Sequence, residues 1–335
     1  MIVDNESIEC ICDPDLMPAF DRSSCADYKG KPVFVNQRGN WICAGETRVL
    51  SAKSFKSQAS LSHRKRSRSV GEIVFVGLGL HDELGMSLRG LDEVKNADTV
   101  FLELYTSLLP GFSLERFEKL SGRMVNPVSR RELEEDNGQV ILKIAENHKT
   151  VLLVPGDPLI ATTHVTLRIE AEKKGIKTRV VHGASVLSAV IGLSGLHNYK
   201  FGKSVTIPFP DETPSETPYS VIAQNKKLEL HTLCLLDIQT EQRRYLSIHD
   251  ALMELLRVEA KRKKMIITEG TLVVGIARAG SSDPTVKAGF ARELLNIDFG
   301  EPPGSLIFPG KLHFMEAEAL RVLAGAPEGL RTVSK

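Results

Sequence analysis

Short apolar runs alternate with segments of helical periodicity from Gly71 onward. The run at residues 151–154 has the length and composition of a buried parallel strand. Pro155 and Pro158 end this run, because proline can neither continue a strand ladder nor sit inside a helix, and a helical pattern follows at residues 165–171. The alternation predicts a parallel sheet that is covered by helices on both faces.

The same patterns place the other elements of the chain. In the first half, strands are predicted at 73–76, 99–105 and 178–181, and helices at 87–95, 114–120 and 132–147. In the second half, strands are predicted at 204–207, 231–236, 272–277 and 305–308, and helices at 248–261, 285–295 and 316–323. The proline-rich residues 208–218 are predicted to form a surface loop. The fold class is therefore α/β, with a mainly parallel sheet in the first half and a mixed sheet in the second.

A chain of 335 residues is long enough for two domains. We expect an N-terminal α/β domain at residues 71–197 and a C-terminal α/β domain at residues 198–330. Gly195 and Gly202 mark the junction. Residues 1–70 are interpreted as a weakly ordered N-terminal extension to which the sequence gives no function.

Within the extension, residues 33–35 and 41–43 suggest a hairpin. The Ser/Lys/Arg tract at residues 51–69 is interpreted as a solvated linker rather than as a nucleic-acid or targeting patch. Four of the five cysteines lie in this part of the chain, at positions that do not have the spacing of a structural zinc site. These are Cys10, Cys12, Cys25 and Cys43. We therefore expect free thiols and no metal.

Composition and charge limit the partners and the location to be expected of the protein. The formal net charge of +1 gives no reason to expect nucleic-acid binding. No apolar run is long enough to span a membrane, and the N-terminus lacks the basic and apolar regions of a signal peptide. The expected location is the cytoplasm.

Two loops are predicted at the carboxyl edge of the parallel sheet, where open α/β sheets bind their ligands. In the first loop, Gly156 lets the backbone turn and Asp157 can accept hydrogen bonds from a ligand's ammonium or hydroxyl groups, with a plain Asx turn as the alternative. Thr162 and Thr163 then suggest a helix start. In the second loop, Ser185 precedes a helix whose first backbone amides are free, with a simple helix cap as the alternative.

Gly77 and Gly79 follow the first strand of the sheet, where a dinucleotide fingerprint would lie. Asp82 occupies the place of the third glycine, so the loop does not have the G-x-G-x-x-G pattern. A Rossmann dehydrogenase is therefore disfavoured, while another adenosine-bearing ligand fits this position.

Several sequence runs, in the same order, resemble the diphthine synthases, a family among the tetrapyrrole-methylase-like S-adenosylmethionine methyltransferases. The resemblance covers about residues 71 to 330. The Pro-Gly-Asp-Pro run is typical of the whole superfamily, and the others narrow it. The runs are Gly77-Leu-Gly-Leu80, Glu103-Leu-Tyr-Thr-Ser107, Pro155-Gly-Asp-Pro158, Ala161-Thr-Thr-His164, Gly195-Leu-His-Asn-Tyr-Lys-Phe-Gly202, His231-Thr-Leu-Cys-Leu-Leu-Asp237, Ala277-Arg-Ala-Gly280 and Pro309-Gly-Lys-Leu-His313.

The resemblance implies two α/β domains with S-adenosyl-L-methionine bound in the cleft between them, in a homodimer. The family's cofactor-binding positions fall on Leu80, Asp157, Ile160, Ser185, Val186, Leu236, Ala279 and Gly304. The last of these is commonly histidine in the family, so only a backbone contact can survive at Gly304. The family's chains normally begin near Val70, which makes residues 1–69 either an added segment or the product of a mis-set start codon.

The resemblance also implies a reaction, the trimethylation of the amino group of the 3-amino-3-carboxypropyl-histidine of translation elongation factor 2, a step of diphthamide biosynthesis. The alternatives are the eukaryotic-type enzyme that also forms a methyl ester, a corrin or porphyrin methylase of the same fold, and a non-catalytic S-adenosylmethionine-binding module. Methyl transfer depends mainly on alignment, but the accepting amine must be unprotonated. His164, His231 and Glu103 are candidates for this task. A structural role is favoured for each, and the general base stays unassigned.

Overall fold

The computed structural model describes residues 71–211 and 215–332, and of the chain before residue 71 only the backbone of five short strands. The chain divides into two compact units, Met1–Arg68 and Ser69–Lys335. The four N-terminal cysteines, predicted to be free thiols, and the basic tract at 51–69 lie outside the residues whose side chains the structure describes.

The strands of the first unit form one sheet. They are β1 (Ile2–Val3), β2 (Ile8–Glu9), β3 (Val33–Asn36), β4 (Trp41–Cys43) and β5 (Val49–Leu50), in the order β2-β1-β3-β4-β5. The antiparallel pairing of β3 with β4 confirms the predicted hairpin.

The second unit begins with the predicted parallel sheet. Its strands are β6 (Glu72–Gly77), β7 (Thr99–Leu102), β8 (Asn126–Pro127), β9 (Lys149–Val154) and β10 (Lys177–Val181). They lie in the order β10-β6-β9-β7-β8, and every neighbouring pair is parallel. All five carboxyl ends therefore meet at one edge of the sheet.

Helices cover both faces of this sheet. They are α1 (Leu88–Lys95), α2 (Leu114–Ser121), α3 (Gln139–Ala145) and α4 (Val165–Lys173). Helix α5 (Val186–Ser194) packs instead against the mixed sheet of the second half, where Val190 shares a core with Val274 and Ile307. On one face of the parallel sheet, Phe75 and Leu152 pack with Ile141 of α3. On the other face, Val74 packs with Phe117 of α2. The central strands are buried on both sides, as their near-continuous apolar sequences predict.

The second half of the unit contains the predicted mixed sheet. Its strands are β11 (Val205–Ile207), β12 (Thr232–Leu236), β15 (Leu272–Ala277), β16 (Thr285–Phe290) and β17 (Gly304–Phe308), in the order β11-β12-β17-β15-β16. A two-stranded hairpin of β13 (Ile238–Gln239) and β14 (Arg244–Tyr245) lies apart from it. The helices are α6 (Thr217–Lys227), α7 (Ile248–Arg262), α8 (Ala291–Leu294) and α9 (Phe314–Ala324). Within the five-stranded mixed sheet, the pairing of β11 with β12 is parallel and the other three pairings are antiparallel. The α/β fold class with one parallel and one mixed sheet is thus confirmed.

Two helix predictions are wrong in part. The helix predicted at 285–295 is mostly strand β16, because β-branched Thr285 and Val286 favour an extended backbone and pair with the neighbouring strand. The helix predicted at 132–147 is broken into a π-helical turn at Arg131–Glu135 and α3. The break lies at Asn137 and Gly138, whose φ angles of 53° and 63° are left-handed, a conformation that asparagine and glycine tolerate.

Two other boundaries differ from the sequence prediction. The proline-rich loop at 208–218 ends earlier than predicted, because α6 begins at Thr217, and Pro218 lies in its first turn, where a missing amide costs no hydrogen bond. The strand predicted at 99–105 ends at Leu102. Among the described residues, no helix combines the length and apolar character needed to cross a membrane.

Candidate active site

A cleft of about 520 Å³ opens at the carboxyl edge of the parallel sheet, and strands and loops of the mixed sheet form its other wall. Its volume lies within the usual range for small-molecule sites, roughly 300–1,000 Å³. All the predicted cofactor-binding residues line this one cleft: Leu80, Asp157, Ile160, Ser185, Val186, Leu236, Ala279 and Gly304. Positions that are up to 224 residues apart in sequence (304 − 80 = 224) therefore meet in one place.

The floor of the cleft is a close approach of two backbone loops. The amide of Gly156 donates to the carbonyl of Gly79 at 2.7 Å, and the amide of Gly79 donates back at 3.2 Å. Both glycines have left-handed φ angles, 69° and 78°. A Cβ on Gly77 would lie 2.4 Å from the Gly156 carbonyl oxygen, so a side chain there would push the loops apart. Glycine at these positions lets the backbone itself form the surface that a ligand meets.

Asp157 is held from two sides. Its Oδ1 accepts a hydrogen bond from the backbone amide of Leu159 at 3.1 Å, which is the Asx turn considered above. Its Oδ2 lies 2.6 Å from Nδ1 of His182, a partner that the sequence did not single out. The side chain is 6% exposed, and each carboxylate oxygen retains a further lone-pair site. The turn and the histidine therefore fix the carboxylate while leaving it able to accept from a ligand.

Ser185 caps helix α5. Its Oγ accepts from the amide of Leu187 at 3.3 Å, and its backbone is extended. The predicted helix start at Thr162 and Thr163 is wrong, because the N-cap position of α4 is His164 and no side chain caps that helix. The two threonine hydroxyls instead donate to the Pro158 carbonyl and to Glu134 Oε1. They hold the loop rather than begin the helix.

The apolar wall depends on tight packing between loops of the two sheets. A Cβ on Gly280 would lie 2.3 Å from Cβ of Leu80, so glycine there lets the loop after β15 touch the loop after β6. Gly304 is the first residue of β17 and lines both this cleft and a second cavity of about 470 Å³. It presents only backbone to the cleft.

One end of the cleft is polar. Tyr105, Thr106, Arg130 and Glu134 line it, and Nε of Arg130 lies 3.3 Å from Oε2 of Glu134. The Arg130 guanidinium also lies over the Tyr105 ring, 5.6 Å from its centroid. Burial raises the pKa of Tyr105, which keeps its hydroxyl protonated at neutral pH. Of these residues, only Tyr105 and Thr106 fall within a run that carried the family resemblance.

Glu103 lies behind this polar end and is fully buried. Its Oε2 accepts from the backbone amides of Tyr105 at 3.0 Å and Thr106 at 3.1 Å, which turns the chain and ends β7 three residues earlier than predicted. The Thr106 hydroxyl donates to Oε1 at 2.5 Å. Burial outweighs these hydrogen bonds and raises the pKa of Glu103 to about 7.

The two histidine candidates differ in position and contacts. Nε2 of His164 lies 3.8 Å from Oε1 of Glu103, and neither ring nitrogen makes a hydrogen bond of normal length. Burial lowers the pKa of His164 to about 4, and Glu134 and the Pro158 carbonyl offset this only in part. His231 lies outside the cleft, with Nε2 2.9 Å from Glu316 and Nδ1 accepting from the Gly310 amide. The structural role favoured for His231 is the one its contacts support.

Comparison with known proteins places this architecture in a family. Residues 72–295 match the family model of the tetrapyrrole (corrin/porphyrin) methylases. The chain is 50% identical to the diphthine synthase of Methanosarcina mazei over 262 residues, which cover 76% of this chain and 97% of the relative. It is 47% identical to the diphthine synthase of Methanocella arvoryzae over 258 residues, covering 77% and 100%.

A solved structure agrees with the sequence comparison. The crystal structure of a diphthine synthase superposes with a TM-score of 0.70 at 42% identity, covering 76% of this chain and 97% of the other. The chain therefore belongs to the tetrapyrrole methylase family and, within it, to the diphthine synthases, which are S-adenosylmethionine-dependent methyltransferases.

Proposed function

We propose that this chain trimethylates the amino group of the 3-amino-3-carboxypropyl-histidine of translation elongation factor 2 to give diphthine, within the biosynthesis of diphthamide. One observation carries the proposal: every family cofactor position lines a single cleft, and polar side chains of Thr106, Arg130 and Glu134 line the same cleft. The identity of about half to diphthine synthases over nearly their whole length supports the same reaction.

The residues of the cleft fit S-adenosyl-L-methionine. The apolar wall of Leu80, Leu236 and Ala279 suits an adenine ring and a thioether-like chain, and the glycine floor offers backbone groups. Asp157 can accept from an ammonium or from ribose hydroxyls, and Ser185 lies at a helix N-terminus that favours a carboxylate. When bound, the cofactor supplies an activated methyl group on a sulfonium.

The chain's own residues would position the acceptor. An aminocarboxypropyl group carries one ammonium and one carboxylate. At the polar end of the cleft, Glu134 can bind the ammonium and Arg130 can bind the carboxylate. The two side chains lie near each other, and Arg130 lies over the Tyr105 ring. The apolar wall keeps water from the reacting atoms, and alignment of donor and acceptor supplies most of the acceleration.

We further propose that residues 71–197 and 198–330 act as two domains with the cleft between them, in a cytoplasmic homodimer. Helix α9 supports the dimer, because Met315, Val322 and Leu323 are exposed apolar side chains on one short element. Neither nucleic acid nor membrane is expected as a partner. Light scattering of the purified chain would give the oligomeric state, and a monomer at micromolar concentration would contradict this part.

The testing experiment is a mass spectrum of elongation factor 2 that carries the aminocarboxypropyl-histidine, after incubation with this protein and S-adenosylmethionine. We expect a gain of up to three methyl groups, and none on the unmodified factor. A fourth methyl that is lost in mild base would indicate the ester-forming type. No gain, with cofactor still bound, would favour the corrin or porphyrin methylase or the non-catalytic binding module.

A further inference from the structure

We propose that Glu103 is the proton acceptor of the methyl transfer, reached from the cleft through the hydroxyl of Thr106. The inference rests on the proposed function, since it concerns the amine that this function methylates. Glu103 does not touch the acceptor itself in this arrangement. Thr106 takes a proton from the acceptor's ammonium group and passes its own hydroxyl proton to Glu103, which holds it.

The geometry connects a buried carboxylate to the cleft by one hydroxyl. Thr106 lines the polar end of the cleft, and its Oγ1 donates to Oε1 of Glu103 at 2.5 Å. A hydroxyl can donate and accept at once, so Oγ1 can take a proton on its cleft side while it gives one to the carboxylate. Glu103 is fully buried, so the Thr106 hydroxyl is its route to the acceptor.

The charges that face Glu103 leave it available as a base. His164 approaches from the start of α4 at 3.8 Å but is neutral at pH 7, since burial lowers its pKa to about 4. Glu134, on the π-helical turn, raises the pKa of Glu103 further, and Tyr105 is uncharged. Arg130 pairs with Glu134 rather than with Glu103. No lysine or arginine forms an ion pair with Glu103 in the described part of the chain.

A carboxylate in this setting suits the task. Burial raises the pKa of Glu103 to about 7, and a general base is most effective when its pKa lies near the working pH. The carboxylate is therefore ionised in a large fraction of molecules at pH 7 to 8. It is also basic enough to take a proton from an ammonium group through the hydroxyl.

The reaction needs one such acceptor in each cycle. The ammonium passes a proton to Oγ1 of Thr106 while the hydroxyl proton moves to Oε1 of Glu103. The freed nitrogen lone pair forms the new C–N bond as the C–S bond breaks, and that electron pair goes to sulfur. Each methyl transfer thus releases one proton, which returns to solvent by the reverse relay when product leaves. Further methylations of the same amine repeat the cycle until no N–H remains.

The two oxygens of Glu103 have separate roles, which makes the proposal testable without unfolding the loop. Oε2 holds the backbone amides of Tyr105 and Thr106, while Oε1 faces the Thr106 hydroxyl. Glu103→Gln keeps an oxygen for the amides and removes the base. Thr106→Val keeps the shape and removes the relay, and Thr106→Ser restores it.

The experiment measures kcat/KM for methylation of aminocarboxypropyl-elongation factor 2 between pH 5.5 and 9 for these variants. General acid–base catalysis contributes about 10²- to 10⁴-fold, so we expect Glu103→Gln and Thr106→Val to lose roughly a hundredfold at pH 7. We expect an inflection near pH 7 in the wild type, and both variants should lose it. Thr106→Ser should recover most of both. Thr150→Val is the matched control, because Thr150 is a buried threonine on β9 that does not line the cleft, and it should retain the wild-type profile.

A second measurement follows the carboxyl group itself. Infrared difference spectra should show a protonated carboxyl band that titrates near pH 7 in the wild type and is absent from Glu103→Gln. Active wild type with an unchanged pH profile in both Glu103→Gln and Thr106→Val would overturn the proton relay alone. A wild type that adds no methyl group while still binding S-adenosylmethionine would overturn the proposed function instead. If Glu103→Gln fails to fold, Thr106→Val and the infrared titration decide the question.

Discussion

Two buried glutamate–histidine pairs in this chain have opposite properties. Glu103 and His164 lie beside the cleft, and their closest side-chain atoms are 3.8 Å apart. Glu316 and His231 lie in the half of the unit that holds the mixed sheet, hydrogen-bonded at 2.9 Å. Both glutamates are completely inaccessible to solvent. The two glutamates are equally buried, yet the pKa of Glu103 is raised and the pKa of Glu316 is lowered.

The partners of the two carboxylates differ in charge. Burial alone would raise the pKa of Glu316, but the Lys200 ammonium, the backbone amides of His197 and His313, and His231 together lower it to about 2. Glu103 has one hydroxyl and two amides but no cation, and burial prevails. At Glu316 an ammonium, an imidazole and two amides thus outweigh burial, whereas at Glu103 two amides and one hydroxyl do not.

Removing the anion of the structural pair should have the largest effect. Glu316→Ala leaves Lys200, His231 and two backbone amides without their acceptor, and breaking a buried pair in this way costs about 3–5 kcal/mol. Urea unfolding at pH 7 measures the loss. Glu328→Ala, at an exposed carboxylate, is the control and should change the unfolding free energy by less than about 0.5 kcal/mol. A loss below about 1 kcal/mol for Glu316→Ala would contradict the structural role.

The pH dependence of stability should have opposite signs at the two glutamates. The pKa of Glu103 is raised from 4.5 to about 7, so the folded state retains a proton that the unfolded chain has released, and stability falls as pH rises through this window. The fall is up to about 3 kcal/mol, and Glu103→Gln should abolish it. The pKa of Glu316 is lowered to about 2, so its contribution is lost as pH falls from 4.5 toward 2. Chemical unfolding at a series of pH values measures both slopes. Equal slopes from pH 5 to 7 in the wild type and Glu103→Gln would show that Glu103 is not an unpaired buried acid.

These contrasts also show how far sequence reasoning reaches. The residues predicted to bind the cofactor all line one cleft, as expected for positions that follow a strand of a parallel sheet or match a family motif. His164 and His231 could not be told apart, because the partner of His231 is Glu316, 85 residues further along the chain. The pKa of Glu103 is raised because the side chain is buried and no lysine or arginine of the described residues pairs with it. Neither property can be predicted from the neighbouring sequence. Arg130 and Glu134 were missed for the same reason, since a predicted continuous helix concealed the π-helical turn that carries Glu134 into the cleft wall.

The carboxylate of Asp157 is an intermediate case between Glu103 and Glu316. Asp157 also has a histidine partner, but His182 is largely exposed, so the pair lies at the boundary with solvent. Asp157→Asn retains the oxygen that accepts from Leu159 and removes the charge. Hydrogen bonds to charged groups contribute about 1.5–3 kcal/mol, so we expect S-adenosylmethionine to bind roughly 10- to 100-fold more weakly.

Calorimetric titration with S-adenosylmethionine measures this change. Asp211→Asn, at an exposed aspartate that does not line the cleft, should bind as the wild type does. Affinity in Asp157→Asn within twofold of the wild type would remove the Asp157 charge from the cofactor site.

Replacing His164 should have the smallest effect. His164 is neutral at pH 7 because burial lowers its pKa to about 4, and its ring nitrogens make no hydrogen bond of normal length. Removing a buried polar group that makes no hydrogen bond of normal length costs little, so His164→Leu, close in volume, should change the unfolding free energy by less than about 1 kcal/mol at pH 7. His231→Leu leaves the Gly310 amide and Glu316 each short of a partner and should lose more, about 2–3 kcal/mol. Urea unfolding of the two variants side by side makes the comparison. An equal loss in both would mean that His164 is hydrogen-bonded in solution, and the contrast between the two pairs would then rest on Lys200 alone.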